Sequence, residues 1–328
     1  MGIQESSVLR ACISSTLSQY ETTDEVAVLM CSYNGASFIS EQLASIQRQT
    51  HRNWSVYVSD DGSQDQTLAI LQATIKQWKP GRLQVFEGPR RGFVANFLSL
   101  TCRPDIRANF YAWADQDDVW KDDKLEKALA WLKTIPSHIP ALYCGRTELI
   151  CESGTPFGYS PRFVLAPHFS NALVQNIGGG NTMVFNQAAR ELLQEAGDQI
   201  DVPSHDWWAY QLISGVGGAV HYDPVPTVLY RQHDENVVGT NSDWKARIKR
   251  LRMAFQGHFH RWNTQNINAL ESMHHRLSQE HRKKLDEFKV ARAQSLPLRI
   301  LGFKRAGLYR QTLLGNLGLI LATLLKKI

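Results

Sequence analysis

The chain predicts an α/β fold: a central, mostly parallel sheet flanked by helices, with a helical C-terminal extension. Three observations carry that prediction. Apolar, β-rich runs at Val26–Cys31, Trp54–Ser59 and Tyr111–Ala114 each end in a polar turn followed by a helical pattern, which is the rhythm of βαβ units. Each turn carries side chains suited to a ligand: Ser32-Tyr33-Asn34-Gly35, Asp60-Asp61-Gly62-Ser63 and Asp115-Gln116-Asp117-Asp118. Beyond residue 244, basic helical stretches replace the strand pattern.

Taken in order, residues 1–24 form a polar leader rich in Ser and Thr, expected to be loosely ordered. The turn after the first strand holds a single glycine, Gly35, so no G-x-G-x-x-G opens the next helix, and no P-loop motif occurs anywhere. In the second turn, Asp60 or Asp61 is suited to accept a hydrogen bond from a base-ring N–H, with Tyr33 packed against the ring. The same residue types also make ordinary turns. The third turn places three acids within four positions. Carboxylates that close stay ionised only with a compensating charge, and Mg²⁺ typically takes one or two carboxylates plus substrate phosphates. An acidic helix N-terminus, favoured by the helix dipole, is the simpler explanation. In a parallel sheet the carboxyl-end turns lie side by side, so residues 32–35, 60–63 and 115–118 should line one crevice. Asp115 then suits ribose hydroxyls and Asp117 or Asp118 the metal. The run Gly178-Gly179-Gly180 comes late and lacks a Lys, which fits a flexible substrate-side loop better than a phosphate cradle.

At 328 residues and 43% hydrophobic, the chain can hold one large domain and a smaller appendage. Five cysteines (12, 31, 102, 144, 151) form no C-x-x-C pair, a pattern of reduced thiols in a cytosol. No apolar segment follows a basic start, so no signal peptide is expected. The net charge of +5 is split: residues 1–244 carry −9 and residues 245–328 carry +14. Basic residues run through helical stretches at Lys245–Phe259 and Glu280–Arg292, and the chain ends in the apolar segment Leu313–Ile328. Its apolar run is shorter than the ~20 residues a membrane-spanning helix needs. A basic helical segment with an apolar end reads as an anchor lying on an anionic membrane surface, or as a solvated helix pair packed on the main domain. Nucleic-acid binding is disfavoured by the apolar terminus and the acidic first part. His258, His260, His274 and His275 have helical spacing and are expected to be solvated rather than to bind metal.

The series Cys31-Ser32-Tyr33-Asn34-Gly35, Asp60-Asp61-Gly62-Ser63 and Asp115-Gln116-Asp117-Asp118, followed by Val119-Trp120, resembles the family-2 inverting glycosyltransferases of the GT-A fold. Arg91–Phe97, His205-Asp206-Trp207-Trp208 and Tyr230-Arg231-Gln232-His233 resemble its bacterial rhamnosyltransferase-like branch. The resemblance covers about residues 25–240, a catalytic domain with a nucleotide-binding half (25–120) and an acceptor half (121–240), and leaves 241–328 as the basic extension.

What the resemblance implies is a nucleotide-sugar donor, Mg²⁺ or Mn²⁺ on its diphosphate, and inversion at the anomeric carbon. Asp60 matches the base-contacting aspartate; Asp115 and Asp117 match the ribose-side and metal-side members of the D-x-D pair. Asp206 falls at the general base, where His205-Asp206 replaces the common Glu-Asp. The absent Q-x-x-R-W signature implies addition of a single sugar. Ser32, Tyr33, Asn34, Gln116, Arg91 and Asn96 are further donor-side candidates; Arg231 would offset phosphate charge and His233 reach the metal or diphosphate. On the acceptor side, Ser204 is expected to cap a helix that begins at His205. Asp206 is either the base or a carboxylate favoured by that helix's dipole. Gly179 and one ring of Trp207–Trp208 would meet sugar, the other ring being core. The branch further implies L-rhamnose from dTDP-rhamnose. The acceptor would be a glycan or polyprenyl-diphosphate-linked saccharide, built into cell-surface polysaccharide at the cytoplasmic face of the membrane. The rival readings are a nucleotidyltransferase, which needs a Gly- and Lys-rich first loop that residues 31–38 lack, and a non-catalytic nucleotide-binding protein.

Overall fold

A computed structural model describes residues 24–232 and 258–328. His233, residues 1–23 of the leader and the boundary at 240 lie outside the described residues. Among the described residues, nine strands form one sheet in the order β3-β2-β1-β4-β8-β6-β9-β5, with β7 on the edge of β6. They are β1 (Val26–Ser32), β2 (Trp54–Asp60), β3 (Leu83–Glu87), β4 (Phe110–Ala114), β5 (Val119–Trp120), β6 (Ala141–Cys151), β7 (Pro156–Tyr159), β8 (Val184–Asn186) and β9 (Ala219–Gln232).

The first four strands pair with one another only in parallel. β8 runs against both β4 and β6, while β9 lies parallel to β6. Six of the nine strands therefore share one direction, since only β5, β7 and β8 oppose it. The antiparallel insertion of β8 is what the βαβ rhythm does not foretell, and β9 runs as a long strand from Ala219 to Gln232.

β1 shows how the sheet is held. All seven residues are buried, as expected for a central strand covered on both faces. Ala27, Leu29 and Cys31 enter one core, whereas Val26, Val28 and Met30 enter the other, the two-residue alternation of a pleated strand. The second core is closed by helices α1 (Ile39–Gln47), α2 (Thr67–Gln77) and α4 (Lys124–Leu132). The first is closed by α3 (Phe93–Cys102), the short α5 (Phe169–Ala172), α6 (Gln187–Ala196) and α7 (His205–Gly215).

Four C-terminal helices follow: α8 (His258–Ser272), α9 (Gln279–Ala293), α10 (Leu296–Arg305) and α11 (Leu313–Leu324). Ile267, Leu270, Leu285, Phe288, Phe303 and Leu319 from these helices join the same core as Trp208 and Phe169. The extension thus shares its interior with the sheet domain. His275 is exposed as expected, with its Nε2 2.9 Å from Glu195.

Candidate active site

The turns after β1, β2 and β4 meet in a cleft of about 1180 Å³. Register brings them together: Ser32 is paired with Asp60 across β1–β2, and β4 lies on the other side of β1. Tyr33, 57% exposed, stands at the mouth. Its peptide is gripped by Gln116, which accepts from the Tyr33 N–H (2.8 Å) and donates to the Tyr33 carbonyl (2.9 Å). Gly35 is required here, because a Cβ would collide with the Gln116 side chain. Asn34, in the left-handed region at φ 49°, accepts from Gln64 N–H while its own N–H donates to Ser63 Oγ.

The two acids of the β2 turn part company. Asp60 is buried, and its carboxylate accepts from Ser32 Oγ (2.8 Å), Ser63 Oγ (2.6 Å), Ser63 N–H (2.8 Å) and Gly62 N–H (3.2 Å). It does not line the cleft; Asp61 does. Four donors fill the lone-pair sites of an ionised carboxylate, so Asp60 organises its turn and has no acceptor left for a nucleobase. Asp61 accepts the N–H groups of Arg90 (2.6 Å) and Gly92 (2.8 Å), which leaves acceptor capacity in the cleft. The assignment of the base contact to Asp60 is corrected accordingly. Arg91 is also redirected, its guanidinium donating to Gln199 (2.8 Å) outside the cleft. Asn96 lines the cleft; its Nδ2 donates to the Ser59 carbonyl, and its buried Oδ1 has no hydrogen-bond partner.

The third turn presents Asp115, Gln116 and Asp117 to the same cleft. The Asp115 carboxyl is pushed up to about 8 by burial, and next by the charges of Asp117 and Asp206. Asp118 is turned away. It is wholly buried and accepts from Asn181 Nδ2 (2.6 Å) and the Arg231 N–H (3.2 Å). Arg231 is buried too, donating from Nε to the Asp117 carbonyl (2.9 Å), from Nη1 to the Glu152 carbonyl (2.5 Å) and from Nη2 to Glu41 (2.6 Å). It braces the acidic turn from behind and does not line the cleft; the expectation that it faces phosphate is corrected. Its residue type suited either job, since a guanidinium carries five donors in a fixed fork.

Asp206 lines the far wall. α7 begins at His205 as expected, but Ser204 makes no side-chain cap. Its hydroxyl donates to Asp206 Oδ1 instead, and that oxygen also accepts the Trp207 N–H (2.6 Å). Oδ2 accepts the Gly180 N–H (3.0 Å). Burial raises the carboxyl to about 6 against these stabilising hydrogen bonds. Trp207 donates to the Ala172 carbonyl (2.7 Å) and Trp208 is fully buried; neither ring lines the cleft. Both are core, and no sugar platform comes from either. Gly179 lines the cleft, but the glycine run is packed closely: a Cβ on Gly180 would strike the His205 ring. His205 in turn stacks on Phe97 with centroids 4.1 Å apart.

The sequence profile of glycosyl transferase family 2 matches residues 27–190, half of the chain. The chain belongs to that family. A dTDP-rhamnosyl transferase, RfbG of Shigella flexneri, is 29% identical over 257 residues, spanning 74% of this chain and 84% of that protein. The crystal structure of Staphylococcus aureus TarS residues 1–349 has a TM-score of 0.51 at 14% identity, covering 80% of this chain and 69% of that one. GalNAc-T7 crystallised with UDP, GalNAc and Mn²⁺ has a TM-score of 0.53 at 14% identity, covering 87% and 55% respectively. At such identity the structural likeness is one of fold, and the fold is GT-A.

Within this glycosyltransferase several residues at the site carry no readable signal in the sequence. Asn176, Ile177 and Tyr222 also line the cleft. Asn181 follows the glycine run and holds Asp118. Lys124 is buried 3.8 Å above the Trp120 ring and pulled down to about 7 by burial. Among the described residues, no helix is long and apolar enough to cross a membrane.

Proposed function

We propose that the cleft carries out a single inverting transfer of a sugar from a nucleotide-sugar to an acceptor hydroxyl, with Asp206 as general base, Asp115 on the ribose side and Asp117 on the metal and diphosphate side. The observation that carries this reading is the convergence of Asp115, Asp117 and Asp206 on one cleft, where the charges of Asp117 and Asp206 add to burial in raising the cost of ionising Asp115. All-oxygen, like-charged donors fit a hard divalent cation, Mg²⁺ or Mn²⁺. When bound, such an ion stabilises the charge developing on the leaving nucleoside diphosphate. The chain's own groups do the rest. Tyr33 offers a ring face at the mouth and Asp61 an acceptor for a base N–H, while Ser32, Asn34, Gln116 and Asn96 complete the donor side. The acceptor oxygen bonds to the anomeric carbon as the bond to diphosphate breaks, and its proton passes to Asp206. A carboxyl near 6 is largely ionised at neutral pH yet basic enough to take that proton.

The donor is dTDP-rhamnose in this proposal, supported by the name and reach of the Shigella relative. The acceptor is a glycan or polyprenyl-diphosphate-linked saccharide of a cell-surface polysaccharide, met at the cytoplasmic membrane face. The test is release of nucleoside diphosphate from a panel of dTDP-, UDP- and GDP-sugars with Mn²⁺ or Mg²⁺. Asp206→Asn should lower kcat by about 10²–10⁴-fold while donor-induced thermal protection persists. Turnover within a few-fold of the parent would remove Asp206 from the base role.

A further inference from the structure

α11 is inside out. Its buried side, Leu319 and Thr323, meets Phe303 of α10, whereas Leu313, Leu314, Leu317, Ile320, Leu321 and Leu324 are exposed. Leu313 and Leu314 are 79% and 71% exposed. A surface helix of a water-soluble protein shows the opposite pattern, and contiguous exposed apolar patches mark interaction sites. α10 adds exposed Leu298, Ile300 and Leu301.

The charge around this face is one-sided. Residues 288–328 hold eight Lys or Arg and no Asp or Glu. Lys304, Arg305 and Lys326 are exposed beside the apolar residues. The 12-residue α11 is too short to span a bilayer. Apolar side chains ringed by cations, on a helix that cannot cross, complement an anionic lipid surface.

The helix pair is also bonded to the acceptor side of the cleft. Gln311, just ahead of α11, bonds the Leu165 N–H and carbonyl, both at 3.1 Å. Asn171 Nδ2 donates to the Tyr309 carbonyl, Ser170 Oγ to the Ala306 carbonyl, and Tyr309 OH to the Ala166 carbonyl. This strap, residues 160–177, contributes Ser160, Pro161, Phe163, Asn176 and Ile177 to the cleft, and carries exposed Val164 and Leu165 on its outside.

We infer that α10 and α11, with Val164 and Leu165, form a docking surface for an anionic bilayer that sets the acceptor wall of the cleft beside the lipid headgroups. The placement of the acceptor rests on the glycosyl-transfer reading above; the docking itself does not.

The full chain is tested by flotation with vesicles of phosphatidylglycerol and phosphatidylcholine. The parent should float with the anionic vesicles, weakly with pure phosphatidylcholine, and less at high salt. Leu317→Glu combined with Ile320→Glu should lower the bound fraction at least about tenfold, with an unchanged melting temperature and unchanged thermal protection by the nucleotide-sugar. Lys304→Glu with Arg305→Glu should weaken binding to anionic vesicles alone. A parent that ignores anionic vesicles overturns the inference, as does a Leu317/Ile320 variant that binds as well as the parent. A dimer that the variant splits, with no vesicle binding, overturns it too by making the face a contact between two copies. Loss of sugar transfer with flotation intact would count against the reaction and leave the docking standing.

Discussion

At the end of β2, Asp60 gives its carboxylate to four donors from Ser32, Gly62 and Ser63. At the end of β4, Asp115 meets burial and the negative fields of Asp117 and Asp206. Two paired-acid turns, at equivalent ends of parallel strands, thus have opposite electrostatics. One is internally neutralised by oriented N–H and O–H dipoles and is finished as built. The other concentrates like charge, which in the proposed reading a divalent cation would offset. Asp118 repeats the contrast within a single turn, its oxygens engaged by Asn181 and the Arg231 amide while Asp117 lines the cleft.

Metal removal should have the largest effect. Exhaustive chelation should cut sugar transfer by about 10³-fold or more, the several kcal/mol a Lewis acid supplies to a leaving diphosphate. Restoration by Mn²⁺ or Mg²⁺ checks it, and transfer undiminished by chelator would erase the distinction between the turns. Next, Asp60→Ala should destabilise the fold by about 2–4 kcal/mol, since it strands buried hydroxyl and amide donors. Chemical denaturation measures this, and a variant as stable as the parent would show that the β2 turn is not held by its carboxylate.

A smaller effect concerns pH. Asp206 must be ionised to act as base, and its carboxyl lies near 6. Below that value kcat/KM should fall about tenfold per pH unit, with a plateau above it; a flat profile from pH 5 to 7 would contradict the assignment. The smallest effect is on the metal-free fold. The Asp115 carboxyl is raised to about 8 from an ordinary value near 3.8, so the native state holds its proton more tightly than the unfolded chain. Its contribution to stability is therefore greatest at low pH and is lost as pH rises from about 4 to 8. Asp115→Asn should flatten that decline and raise the melting temperature at pH 8 by a few degrees. Thermal scans across pH, with and without Mn²⁺, provide the check.

Much of this was legible from residue order. Period-two strands ending in polar turns specify a parallel half-sheet, and a parallel half-sheet gathers its carboxyl-end turns. Asp115, Asp117 and Asp206 could be gathered by type and setting alone. What could not be read is orientation within a turn. Asp60 and Asp61 are adjacent and identical, and only the β1–β2 register, which sets Ser32 against Asp60, decides which one points inward. Arg231 and the Trp207–Trp208 pair failed for a related reason. A large side chain near a site is equally suited to line it or to brace it, and the deciding partners, Glu41, Glu152 and Ala172, lie 190, 79 and 35 residues away in sequence.

Gln116 ties the turns after β1 and β4 together across the cleft. Its amide clasps both sides of the Tyr33 peptide while its own backbone lies between Asp115 and Asp117. Any shift of the carboxylates is therefore transmitted to the aromatic ring at the mouth, and the reverse. If the cleft binds a nucleotide and a cation as proposed, redesigning the ring's surroundings alone would disturb ion affinity as well, so selectivity for the base and the hold on the cation would be tuned as one property.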